Sequence, residues 1–166
     1  MRRILLSGLM CGALALAACG GGDNGGPDGG TNENNPNACG DDVQSVTAQE
    51  LFDSVINGTG ACTSCHYAGA GTATNGDLVM DSVEALKATT GATTAYAITG
   101  STLKVVDPNH SENSTMFLKV AGGSTVTPPV KGPKGESVGA QMPQGLPPLS
   151  AEDLKMVKDW ICSGAK

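Results

Sequence analysis

The sequence predicts an all-α domain of short helices joined by long Pro/Gly-rich loops, with room for one short β-hairpin. Three observations point there. An oxygen-bearing residue followed three positions later by Glu or Asp precedes an apolar stripe at Thr47/Glu50, Asp81/Glu84 and Ser150/Asp153, the signature of a capped helix start. Glycine and proline, 24 and 9 of the 166 residues, gather between those stripes, where they break regular structure. Aromatic side chains are scarce: Phe52, Tyr67, Tyr96, Phe117 and Trp160 are the whole supply. The polypeptide alone therefore brings little of the large apolar area on which cores are usually built.

In chain order, Arg2 and Arg3 precede an uncharged apolar and small-residue stretch over 4–18. It is short for a membrane span and reads as an export signal over 1–18. Leu16-Ala17-Ala18-Cys19 resembles a bacterial lipobox, which implies cleavage before Cys19 and acylation of that cysteine. Cys11 is the poorer candidate, because Met10 precedes it after a shorter apolar run. Ordinary secretion with cleavage near Ala18 is the plainer alternative. Several acyl chains on one cysteine give durable anchoring, which a single chain does not. Gly20 stands where enteric lipoproteins carry Asp for inner-membrane retention, so resemblance to them places the protein at the outer membrane, facing the periplasm or the cell surface. Residues 20–36 have no aliphatic or aromatic side chain to bury, so 19–38 reads as a flexible tether. That leaves 39–166 as one small domain.

Within it, Thr47 and Glu50 open a helix whose Leu51, Phe52, Val55 and Ile56 share a face, and Gly58 and Gly60 end it. A second helix is expected from Ala61, and 69–76 is a small-residue loop. Asp81 with Glu84 starts a helix through Ala88. The β-branched stretch 96–106 around Gly100-Ser101 suggests the hairpin. A helix over 111–120 turns Met116, Phe117 and Val120 inward, and 125–148 is too rich in Pro and Gly to be helical throughout. Ser150 with Asp153 starts the last helix, with Leu154, Val157 and Ile161 as its stripe and Gly164 as its stop.

The most informative residues are Cys62-Thr63-Ser64-Cys65-His66. They spell Cys-x-x-Cys-His, the pattern of covalent haem attachment in c-type cytochromes. Two thiols three positions apart can each add to one porphyrin vinyl group, and the following imidazole serves as the proximal iron ligand. The bland alternative is a thioredoxin-like dithiol or a zinc site with a histidine nearby by accident.

For the sixth ligand the candidates are His110, Met80, Met116, Met142 and Met156. Met142 stands out. Its setting, Gln141-Met142-Pro143-Gln144-Gly145-Leu146-Pro147-Pro148, is extended and stiff, since each proline fixes its own φ and biases the residue before it. Met116 and Met156 fit core positions, Met80 lacks a stiffened loop, and His110 in Asp107-Pro108-Asn109-His110 fits a solvated loop.

With Cys19 lipidated and Cys62 and Cys65 on haem, Cys39 and Cys162 remain as a pair that an oxidising compartment would join. The rival assignment gathers Cys39, Cys62, Cys65 and Cys162 around one zinc or iron–sulfur centre, for which the outer spacing gives no support. Net charge is −6, which loss of Arg2 and Arg3 takes to −8, and no other Arg exists. Nucleic acid is an implausible partner, since phosphate binding needs clustered positive charge.

The run of Cys62-x-x-Cys65-His66, Asn75-Gly76-Asp77-Leu78, Asp107-Pro108 and Ser114-x-Met116-Phe117-x-Lys119-Val120 resembles a class I cytochrome c domain. So does Met142-Pro143-x-Gly145-x-Pro147-Pro148-Leu149-Ser150-x-Glu152-Asp153-Leu154, ending in Trp160-Ile161 and Gly164-Ala165. The resemblance covers about 47–166. It implies a cytochrome c-like helical domain around one covalent haem, with His66 and Met142 as axial ligands and one-electron transfer as the activity. It also implies a crossing of the first and last helices that sets Leu51, Phe52 and Val55 against Leu154, Val157, Trp160 and Ile161. The segment between Leu78 and Gln141 is longer than in the smallest members, and the Cys39/Cys162 pair is an addition. Lys131 and Lys134 are within sequence reach of the propionates, although lysines in such loops are usually solvated.

The expectation is a single-haem, lipid-anchored electron carrier, not an enzyme, working with a redox partner protein whose identity is not encoded here. Two alternatives stand beside it. One is a haem protein with an open sixth site that acts on peroxide or senses a gas. The other is a haem-free surface lipoprotein whose Cys62 and Cys65 form a disulfide.

Overall fold

In the computed structural model, which describes residues 35–71, 78–93, 103–123 and 129–166, the domain's first helix starts at Thr47. The expected signal peptide, Cys11, Cys19 and most of the expected tether fall outside the described residues, as do 72–77 and most of the expected hairpin. Helix α1 spans Ala48–Leu51. The Thr47 hydroxyl accepts from the Glu50 amide at 3.2 Å, and the Glu50 carboxylate accepts from the Thr47 amide at 2.8 Å. That hydrogen bond from the Thr47 backbone, joined by one from its hydroxyl, holds the Glu50 carboxyl below its usual range. The expected apolar face follows, but in wider π turns over Phe52–Thr59. Gly60 N–H reaches back five residues to Val55 O at 2.8 Å, the mark of a π-type turn. Gly58, at φ −94° and ψ −115°, leaves helical geometry.

Helix α2 spans Val83–Ala88 and is capped by Ser82, whose hydroxyl accepts from the Ala85 amide. The cap expected at Asp81 is thus one residue early. A 3₁₀ turn over Ser111–Asn113 leads into helix α3, Thr115–Val120, where Met116, Phe117 and Val120 are buried as expected. Helix α4 spans Ala151–Cys162, and the Ser150 hydroxyl accepts from the Asp153 amide at its start. Gly164, at φ +98°, follows its end.

The core forms where these elements meet. Leu51, Val55, Leu86, Leu118, Trp160 and Ile161 are wholly or almost wholly buried. Helix α1 with its π continuation lies against α4, and α3 packs on α4 as well. Phe52 and Leu154 sit partly buried at the margin. The carbonyl of Lys166 accepts from both Ala48 N–H at 3.1 Å and Trp160 Nε1 at 3.2 Å, so both ends of the domain are knotted at one point.

The all-α, cytochrome c-like helical domain expected from the sequence is not what the chain forms. Helix of every kind covers 38% of the described residues, and the α-helices among them are four short ones. None of the described residues lies in a strand. The described end of the proposed hairpin makes only isolated bridges, Thr90 with Val106 and Thr93 with Lys104, while Lys104 also bridges Ser114. The causes are local. Ala61 takes a left-handed φ of +46°, so the helix expected there is only a 3₁₀ turn over Cys62–Ser64. Asn109, at φ +66°, breaks the chain again before α3. Prolines through the 129–148 segment remove donors and fix φ. The bridged segment 103–106 instead buries Leu103, Val105 and Val106, of which the two β-branched valines suit a pleated, half-buried surface.

Candidate functional site

The left-handed Ala61 redirects the chain so that the next five residues wrap around one carbonyl. The amides of Cys65 and His66 both donate to Cys62 O, at 3.1 and 2.8 Å. The Ser64 hydroxyl donates to Ala61 O at 2.7 Å. Cys62 is partly buried, Cys65 is exposed, and the two thiols are not joined to each other.

His66 is aimed by its surroundings. Its Nδ1 lies 3.1 Å from Leu78 O. A carbonyl can only accept, so Nδ1 carries the proton and Nε2 holds the free lone pair. Two more hydrogen bonds clasp the same segments together. Met80 N–H donates to His66 O at 2.7 Å, and Ala68 N–H donates to the Asp81 carboxylate at 2.8 Å. Asp81, expected to cap a helix, thus ties the histidine segment to 78–81.

Burial pushes the Cys62 thiol up to about 11. It is therefore neutral at physiological pH, the opposite of the activated thiolate that dithiol redox catalysis requires. The sulfur sits in a tight corner: a methyl group on Gly60 would lie 3.2 Å from Cys62 Sγ and 3.5 Å from Leu149 Cδ2. Among the described residues no three His, Cys, Asp or Glu side chains gather around a common point. Cys62, Cys65 and His66 therefore do not converge in the way that zinc ligands must. Haem attachment asks for a different arrangement, with the sulfurs bound to the macrocycle and only the imidazole on the metal.

Met142 is placed by α3 and the glycines behind it. Its amide donates to Lys119 O at 3.1 Å. Gly123 lets the loop come close: a Cβ there would be 2.6 Å from Gly139 O and 2.8 Å from Gln141 N. The Met142 side chain is partly buried against the main core, on which Cys62 and Leu78 also pack. Met80 and Met116 are buried within that core, and Met156 packs at its margin. His110 is exposed and points its Nδ1 at the Glu112 carboxylate, 3.2 Å away. Lys131 and Lys134 are exposed.

Cys39 and Cys162 form a disulfide with a Cα–Cα distance of 5.6 Å. The pairing expected from cysteine usage is present, and it takes both residues out of any four-cysteine centre. Ser111 Oγ lies 3.5 Å from each of the two sulfurs.

Among the described residues, the large hydrophobic side chains left exposed are Tyr67 at 45% and Leu146 at 49%. The first adjoins His66 and the second follows Met142 by four residues. Two cavities of about 290 Å³ lie elsewhere, one lined by Phe117, Leu154, Lys155 and Cys162, the other by Leu103, Asp107 and Glu136. Within the motif Cys62 and His66 are partly buried and Cys65 is exposed. The donor set, the free Nε2 and the flanking apolar side chains fit a covalently held haem.

Sequence reasoning did not find the Leu78 carbonyl, the Asp81 clasp, the Gly123 approach or the setting of Lys119. Only Gly123 had a readable signal, the Gly122-Gly123 pair directly after an apolar helix. No family model, no curated protein and no solved structure matches this chain.

Proposed function

We propose that this chain is a monohaem c-type cytochrome, a one-electron carrier tethered to a membrane through a lipidated Cys19. One observation carries the reading. Beside two free thiols spaced Cys-x-x-Cys, His66 is held through Nδ1 by Leu78 O, which leaves Nε2 as a ligand. Metal-bound histidines typically have their second nitrogen fixed in this way.

In this reading Cys62 and Cys65 would hold the haem covalently through their sulfurs, and His66 Nε2 and the Met142 thioether would hold its iron. Bound haem would supply an iron that cycles between ferrous and ferric. The chain's own contribution is to fix both ligands, cover the macrocycle edge with apolar side chains and set the potential, which a His/Met pair raises. An excess of acidic residues suits a basic redox partner, through steering that weakens with salt.

A pyridine haemochrome spectrum and an intact mass on protein matured in cells with a working cytochrome c apparatus test the assignment. One covalent haem and an acylated Cys19 are expected. A colourless, stably folded product would overturn it. Rapid, complete carbon monoxide binding by the reduced protein would instead favour the open-site alternative.

A further inference from the structure

The lysines of this chain fall into two kinds. Lys104 pairs with Asp107 at 2.7 Å and Lys155 with Asp159 at 3.0 Å, while Lys158 donates to Pro36 O at 2.9 Å. Lys131 and Lys134 are exposed. Lys119 is neither paired nor fully hydrated. It is half-buried, and none of the described hydrogen bonds or ion pairs engages its ammonium group. A methyl group on Gly139 would lie 3.2 Å from Lys119 Nζ, so the missing side chain there is part of what admits the cation. A partly desolvated charge without a partner is a cost that proteins usually offset with a counter-ion.

Its position suggests which one. The Lys119 carbonyl holds the Met142 amide, and Gly139 lies three residues before Met142. The unpaired cation therefore lies beside Gly139, on the loop that leads into the proposed distal ligand. We propose that Lys119 is the counter-cation of the bound macrocycle, its ammonium group pairing with a haem propionate carboxylate beside the Met142 loop. This rests on the haem reading above and replaces Lys131 and Lys134 as the candidates for that role. The shared chemistry is a carboxylate or phosphate oxygen anion, and a free anion is the competing source.

The test uses full-length holoprotein and its Lys119→Met, Lys119→Gln and Lys119→Arg variants. Resonance Raman reads the propionate bending mode directly. That mode should shift in the Met and Gln variants and return towards its natural position with Arg, and the midpoint potential should fall when the cation is removed. A mode unmoved by both neutral variants, in protein whose haemochrome shows one haem, would sink this proposal and leave the functional reading intact. Protein without haem would remove both. Line broadening of inorganic phosphate in phosphorus NMR that disappears in Lys119→Met, with the Raman mode unmoved, would assign the site to a free anion and also overturn the proposal.

Discussion

Around Trp160 the chain is held from many sides at once, whereas around Cys65 it is held by a few backbone hydrogen bonds. Trp160 is wholly buried among Leu51, Val55 and Ile161, its indole nitrogen bonded to Lys166 O, two residues away from the disulfided Cys162. Cys65 is exposed, at the end of a 3₁₀ turn of three residues, with the exposed Tyr67 beyond it. The helical frame gains its stability from apolar burial, and the motif leaves Cys65 and Tyr67 exposed. Damage to the two regions should therefore read out differently.

The largest effect is expected in the frame. Trp160→Ala should cost about 3–5 kcal/mol, measured by urea unfolding. A loss well under 1 kcal/mol would show that the frame is not centred there. Cys162→Ser opens a link between residues 123 apart in sequence and should cost about 2–5 kcal/mol. The haem absorption of folded material should stay as it was, and loss of metal from this variant would revive the four-cysteine centre.

Changes to the face should do the reverse. Met142→Ala should leave haem covalently bound, abolish the sulfur-to-iron charge-transfer band and lower the potential. Gly123→Ala, which leaves the thioether in place but forces the 139–141 backbone away, should weaken the same band. A full band in Met142→Ala would assign the distal position to another residue. The smallest effect concerns Cys62 in chain made without the maturation apparatus. Alkylation there should lag behind Cys65 at neutral pH and catch up only as the pH nears about 11. Since burial raises this thiol from 9.0, its neutral form favours the folded state below pH 9, and that contribution is lost as the pH rises through about 11. Equal rates at pH 7 would show that Cys62 is not sheltered.

The frame was the more legible region. Thr47/Glu50 and Ser150/Asp153 marked real helix starts because capping is a local exchange of hydrogen bonds between residues three apart. Cys39 and Cys162 were paired by elimination, which needs no geometry. The Asp81 cap failed because Ser82 offers the same chemistry one position later, freeing the carboxylate for Ala68. The all-α expectation failed for a related reason. Apolar stripes show where helices begin but not that Ala61 adopts a left-handed φ or that 103–106 makes only isolated bridges. Lys119 was invisible because partial burial of a lysine depends on what lies across from it, here a glycine twenty residues away in sequence.

The clasp between 66–68 and 78–81 has a consequence for the order of assembly. An imidazole already oriented by Leu78, on a backbone already tied by Met80 and Asp81, has surrendered its rotamer freedom before any ligand arrives. Coordination there would draw on little further entropy, so under the proposed haem reading the chain would offer a ready cradle rather than a segment that must first be shaped.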